Sequence, residues 1–240
     1  MTPMFLENLV VDALDPQRLG RFWEAAVGGE RLTDEPDLFE TRLAVGGGPV
    51  LDLCFQRVPE PPSAPSGLHV ELRGEAEPSR EVDRLVALGA RRLDPEGDRA
   101  RVALADPEGN RVDVLPDEAA GPGTGPVAAL WLDSADPDRD AVFWGWLTGW
   151  AAVAAAPPSL RHPSGLGPVL RLHPERSPRG TSKNRLHLDV RLETGDDPGE
   201  VAAAIEARGG GELHLGWGVL PWRHHVDPSG NEFCVLPARS

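Results

Sequence analysis

The 240-residue chain carries 38 Asp and Glu against 24 Lys and Arg, a formal net charge of −14, which repels phosphates and argues against nucleic acid or an anionic membrane as a partner. With 40% hydrophobic and 26% charged residues, and no apolar run near the ~18 residues that cross a bilayer, the composition is that of a soluble globular protein, expected in the cytoplasm. Two cysteines, Cys54 and Cys234, lie in different halves of the chain and set no disulfide framework.

The first predicted element is the strand FLENLVVD, with Leu6, Leu9 and Val11 apolar. A helix follows in DPQRLGRFWEAAVGG: Asp15 suits the cap, Pro16 the first helical position, and Leu19, Phe22, Trp23 and Ala26 recur at helical spacing before Gly28-Gly29. LFETRLAV and VLDLCFQR form a hairpin across GGGP, and GLHVELR is a period-2 strand. PSREVDRLVALGA predicts a second helix with Val82, Leu85 and Val86 inside and Gly89 as its stop. ARVALA and NRVDVLP make a closing hairpin across DPEGN, whose Gly supplies positive φ and whose Asp and Asn bond the local backbone.

The sequence then repeats. An offset near 121 aligns VDALDP with LDSADP, Phe22-Trp23 with Phe143-Trp144 and DPEGN with DPSGN, and a slightly smaller one aligns PVLDL with PVLRL and LHVELR with LHLDVR. Two domains are expected, 4–117 and 127–238, joined by a Gly/Pro linker over 118–126. Each consists of two strand–helix–hairpin units, an α+β arrangement in which helices cover one sheet face and the polar face lines a concavity.

The strand-one entry with D-x-x-DP and the following FW, the LH-x-E/D strand and the DP-x-GN closing turn resemble the vicinal oxygen chelate superfamily: glyoxalases, dioxygenases, and bleomycin- and fosfomycin-resistance proteins. FQRVPEP, KNRLHLDVR and DPSGNEFCVLP look like its actinobacterial glyoxalase-like domains. The resemblance implies two tandem domains of this superfamily, each of two βαβββ units forming a curved sheet with a concave polar face. It also implies metal ligands at four positions: a first-strand His, a fourth-strand carboxylate, a fifth-strand His and an eighth-strand Glu. Carried over within each copy, these fall on Asn8, Gln56 (with Cys54 on the same face), His69 and Asp113 in the first, and on Ala129, Glu175 or His173, His187 and Cys234 in the second. Neither set is the family's. Cofactors are therefore none, or a divalent ion on His69, Asp113, His187 and Cys234.

His187 with Asp189, and His69 with Glu71, pair an imidazole with an acid two residues along one strand face, an arrangement for proton transfer or for fixing a tautomer. Of the adjacent His224 and His225, only one can serve the concavity. Trp131 alternates with Leu130 and Leu132 and should enter the concavity as an aromatic wall, beside ligand-binding candidates Asn8, Gln56, Glu175 and Arg185. The basic loop 176–185 reads as a solvated loop or as a receiver for an acidic substrate group. The expected function is binding, with conversion of lyase or isomerase type, of a small oxygenated metabolite. The alternative is a metal-free small-molecule binding or drug-sequestering resistance protein without turnover. Fusion of two copies is consistent with a monomeric pseudo-dimer or a homodimer.

Overall fold

The computed structural model describes residues 4–60, 67–74, 78–93, 101–175, 183–214, 216, 218 and 220–239. The first copy supplies β1 (Met4–Ala13), α1 (Pro16–Val27), β2 (Glu30–Asp34), β3 (Leu38–Ala44) and β4 (Val50–Arg57), then β5 (Leu68–Arg73), α2 (Pro78–Leu88), β6 (Arg91–Arg92), β7 (Val102–Ala105) and β8 (Arg111–Leu115). A one-turn helix, α3 (Asp117–Ala120), precedes the second copy: β9 (Val127–Ser134), α4 (Pro137–Thr148), β10 (Ala151–Val153), β11 (Ser159–Arg161) and β12 (Val169–Pro174), then β13 (Leu186–Leu192), α5 (Pro198–Glu206), β14 (Gly211–Leu213), β15 (Arg223–Val226) and β16 (Glu232–Leu236).

Helix boundaries follow the sequence signals. Asp15 accepts from the Arg18 N–H, Pro16 opens α1, and Gly28 closes it at φ 66°. Asp136, Pro137 and Gly149 repeat that arrangement around α4. Two expectations need correction. Val86 is 41% exposed while Val82 and Leu85 are buried, so only a narrow stripe of α2 packs inward. The segment 118–126 is no loose tether: Ala120 and Thr124 are buried, and Arg73 bonds the Asp117 carboxylate and the Gly121 carbonyl.

The strands form two eight-stranded curved sheets, and each draws on both copies. The first runs β14-β15-β16-β13-β1-β4-β3-β2, the second β10-β11-β12-β9-β5-β8-β7-β6. The joins are antiparallel: β1 on β13, and β5 on β9. Each concave face is therefore built half from one copy and half from the other.

One core of apolar side chains, including Trp23 and Trp144, fills the space behind the sheets. These tryptophans also explain why FW and DP-x-GN recur together. Trp23, on the helix after β1, donates its indole N–H to buried Asp106 (3.1 Å), in the turn between β7 and β8 of the other sheet. Trp144 bonds Asp227 (3.0 Å), in the β15–β16 turn, in the same way. Each Asp also accepts from two backbone N–H groups and an Asn amide within its turn, so the turn is satisfied internally and stapled to a helix from the opposite sheet.

Candidate functional site

Strand alternation places residues 8, 10 and 12 of β1, 52, 54 and 56 of β4, 187 and 189 of β13, and 232 and 234 of β16 on the concave face of the first sheet. The register lines them into rows. One row crosses Glu40, Cys54, Val10 and His187; the next crosses Asp52, Asn8, Asp189, Cys234 and His224. Above these rows lies a cavity of about 910 Å³, whose apolar wall includes Val10, Leu38, Leu213, Leu220 and Trp222.

Three donor atoms meet on its floor. His187 Nε2 lies 3.4 Å from Asp189 Oδ1 and 3.6 Å from Cys234 Sγ. Asn8 Nδ2 donates to Asp189 Oδ2 (3.1 Å), which fixes the carboxylate from β1. Burial, and then the Asp189 carboxylate, push the Cys234 thiol far up; burial and Glu40 do the same to Cys54. Both thiols are thus protonated and poor nucleophiles as they stand. Acid and thiol share one imidazole nitrogen, while His187 Nδ1 is buried without a hydrogen-bond partner among the described residues. A nucleophilic relay needs the acid on one ring nitrogen and the thiol on the other, so this is not one. His224 faces the cavity, accepts from the Trp222 indole at Nε2 (3.3 Å), and is held below the usual imidazole range by burial and then by His187. His225 points to the core, stacked on Phe233.

The second sheet carries a packed cluster at the equivalent place. Trp131, in the position of Val10, stacks on His69 (5.2 Å) and on His173 (4.1 Å). Arg101 lies over the Trp131 ring (4.7 Å) and hydrogen-bonds Glu71; Arg171, in the position of Cys54, stands 3.2 Å from Glu71. Arg111 and His69 flank Asp113 at 2.9 and 3.5 Å. Burial works to raise the Asp113 carboxyl, but the bonds from His69 and Arg111 outweigh it and hold the group below the usual carboxylate range.

The candidate residues therefore sort differently from their order in sequence. Asn8 and Gln56 share a face with His187, Asp189 and Cys234, whereas His69, Glu71 and Asp113 join Ala129, Trp131 and His173. Grouping ligand positions within one copy is thus corrected, because the joins β1–β13 and β5–β9 exchange halves. Gln56 lines the cavity and bonds Asp12 (3.1 Å). Trp131 enters a concavity as expected, but the second sheet's, as filling. Glu175 follows the end of β12, and the register matches Gln56 with His173. Arg185 turns to the Glu108 carbonyl (2.9 Å), away from the cavity. In the loop 176–185, Lys183 is bonded to Asp12, and residues 176–182 lie outside the described residues. Sequence reasoning missed Val10, Glu40, Arg101 and Arg171; period-2 alternation gave their faces, but nothing local gave their neighbours across the sheet.

Both three-residue clusters, His187–Asp189–Cys234 and His69–Glu71–Asp113, bring ligand-type atoms within 4.8 Å of one another. The first fits a divalent ion: one imidazole, one carboxylate and one thiol form a zinc-type donor set, with Asp189 Oδ1 buried and lacking a hydrogen bond. The second does not fit, because arginine guanidinium groups already neutralise its acids.

The family model of the glyoxalase-like domain matches residues 8–115 and again 129–236. The chain belongs to this family. Among solved structures it is similar to glyoxalase I from Zea mays, at 15% identity over 98% of this chain and 92% of that one, with a TM-score of 0.70. It is also similar to a putative dioxygenase from Bacillus subtilis, at 14% identity over 100% and 86% of the two chains, with a TM-score of 0.63. At such identities the likeness concerns the fold, two curved sheets of the vicinal oxygen chelate type. Among curated proteins none matches the sequence. No helix among the described residues is long and apolar enough to cross a membrane.

Proposed function

We propose that this glyoxalase-like protein binds a small oxygenated metabolite in the concavity of the first sheet and converts it there by lyase- or isomerase-type chemistry. The observation that carries this reading is the cavity of about 910 Å³ set directly over the convergence of His187, Asp189 and Cys234. In it His187 is the base or ligand, Asp189 orients it from one side, and Asn8 holds Asp189 in place. Trp222, Val10 and Leu38 supply the apolar wall, and Gln56 a polar contact. His69, Glu71 and Asp113 act as the structural filling of the second sheet, together with Trp131.

A divalent ion, when bound, would be held by His187, Asp189 and Cys234 and would polarise a substrate oxygen. The protein's own residues would then bind the metabolite's body, orient its oxygen toward the floor and exclude water. The metal-free alternative, binding without turnover, rests on the Asn8 amide, which stands where metal-binding relatives carry a ligand and is bonded to Asp189. Native mass spectrometry of freshly purified protein, with metal analysis, tests both. A stoichiometric ion lost in Cys234→Ser supports the metal-bearing form; a co-purified organic molecule without metal supports the alternative. Unchanged affinity of His187→Ala for the ion or molecule so identified rejects the site.

A further inference from the structure

We infer that the first-sheet cavity selects an organic cation, a ligand carrying a protonated amine on an apolar body. The inference rests on the binding reading above and adds the ligand's charge class. Among the described residues the cavity is lined by five carboxylates, on Asp12, Glu40, Glu60, Asp189 and Glu232. Its two described cations are already engaged: Lys183 bonds Asp12, and Arg57 reaches Asp37 and the carbonyls of Pro36 and Leu14.

The partners of the other acids, where the structure gives them, are neutral donors. Glu40 accepts from the Thr33 hydroxyl (2.5 Å) and the Cys54 thiol (3.5 Å), and Glu232 from the Asn184 N–H (3.2 Å). Asp189 is 5% exposed and lines the same cavity, with Oδ1 3.4 Å from His187 Nε2 and Oδ2 bonded by the Asn8 amide. An ion entering such a half-enclosed space feels these charges with little screening, and the −14 net charge of the chain adds a long-range field of the same sign. A carboxylate or phosphate ligand would meet repulsion at the rim and at the floor. An ammonium finds acceptors, with the Trp222 indole beside them as a cation–π surface. Apolar wall and acidic rim together define the class.

The test uses three probes of one shape, 4-phenylbutylamine, 4-phenylbutan-1-ol and 4-phenylbutanoate, titrated by calorimetry into the full chain at low salt after chelator treatment. The amine is expected to bind at least tenfold tighter than the alcohol, and the acid weakest. In Glu40→Gln/Glu232→Gln the amine-to-alcohol ratio is expected to fall about tenfold, with circular dichroism confirming the fold. An alcohol that binds as well as the amine, or an acid that binds best, overturns the cation inference while leaving the binding reading in place. Absence of binding by all three probes overturns both.

Discussion

Replacing Arg101 by Met tests whether the second concavity is a structural core. The guanidinium is hydrogen-bonded to Glu71, stands 3.8 Å from Asp113 and covers Trp131, while both carboxylates are fully buried. Stripping a buried acid of its partner costs about 3–5 kcal/mol when nothing else compensates it. Here Arg171 remains near Glu71, Arg111 remains on Asp113, and the Arg101 side chain is itself 30% exposed. The cost should therefore fall below that range, to about 2 kcal/mol. For a chain of this size that lowers the melting temperature by roughly 4–8 °C. Thermal and urea melts of Arg101→Met, Glu71→Gln and the double variant form a cycle in which neutralising Glu71 should recover most of the loss. Equal destabilisation by Arg101→Met with and without Glu71→Gln would refute the ion-pair account. So would a melt indistinguishable from wild type.

Four further outcomes are expected. Trp23→Phe deletes the donor to buried Asp106 and should cost about 1–3 kcal/mol in urea unfolding; Asp106→Asn in the same background should cost more again, because the Asn110 amide that bonds Asp106 would then face a second amide donor. His225 is lowered to about 4, chiefly by burial, so the stability it contributes is present above its ordinary 6.5 and is lost as pH falls toward 4; wild type should lose up to about 3 kcal/mol relative to His225→Phe between those pH values. Asp227 is raised to about 6, again chiefly by burial, so its contribution has the opposite sign, present below 3.8 and lost as pH rises through 6; Asp227→Asn melts at pH 4 and 7 should show this directly, and the two groups should nearly cancel in wild type. Finally, Val10→Trp, which copies the second sheet's Trp131 into the open cavity, should abolish binding of any ligand that native mass spectrometry identifies, while Trp131→Val should leave that binding intact.

Much of this fold is legible locally. The caps Asp15 and Asp136, the helix-closing Gly28 and Gly149 and the period-2 strands follow from backbone chemistry that each short segment carries by itself. The edge strands β2 and β6 were less legible, because ERLTD and the two-residue RR have little apolar alternation and acquire strand geometry from β3 and β7. The recurrence of FW and DP-x-GN is visible in sequence, but the reason is not: the indole–carboxylate bonds link residues 83 positions apart.

By itself the sequence determined a duplicated α+β chain, the polar and apolar face of each strand, and candidate imidazole–acid pairs at His69 and His187. Only the tertiary structure decided that the two copies exchange halves, because strand pairing between β1 and β13 and between β5 and β9 is a long-range choice that no local pattern encodes. That choice placed Asn8 beside Asp189 and brought Arg171 to Glu71, which Arg101 of its own copy already bonds. One concavity is open over His187, Asp189 and Cys234, and the other is filled by Trp131, because side-chain volume at matching positions matters only once the sheet has brought those positions together.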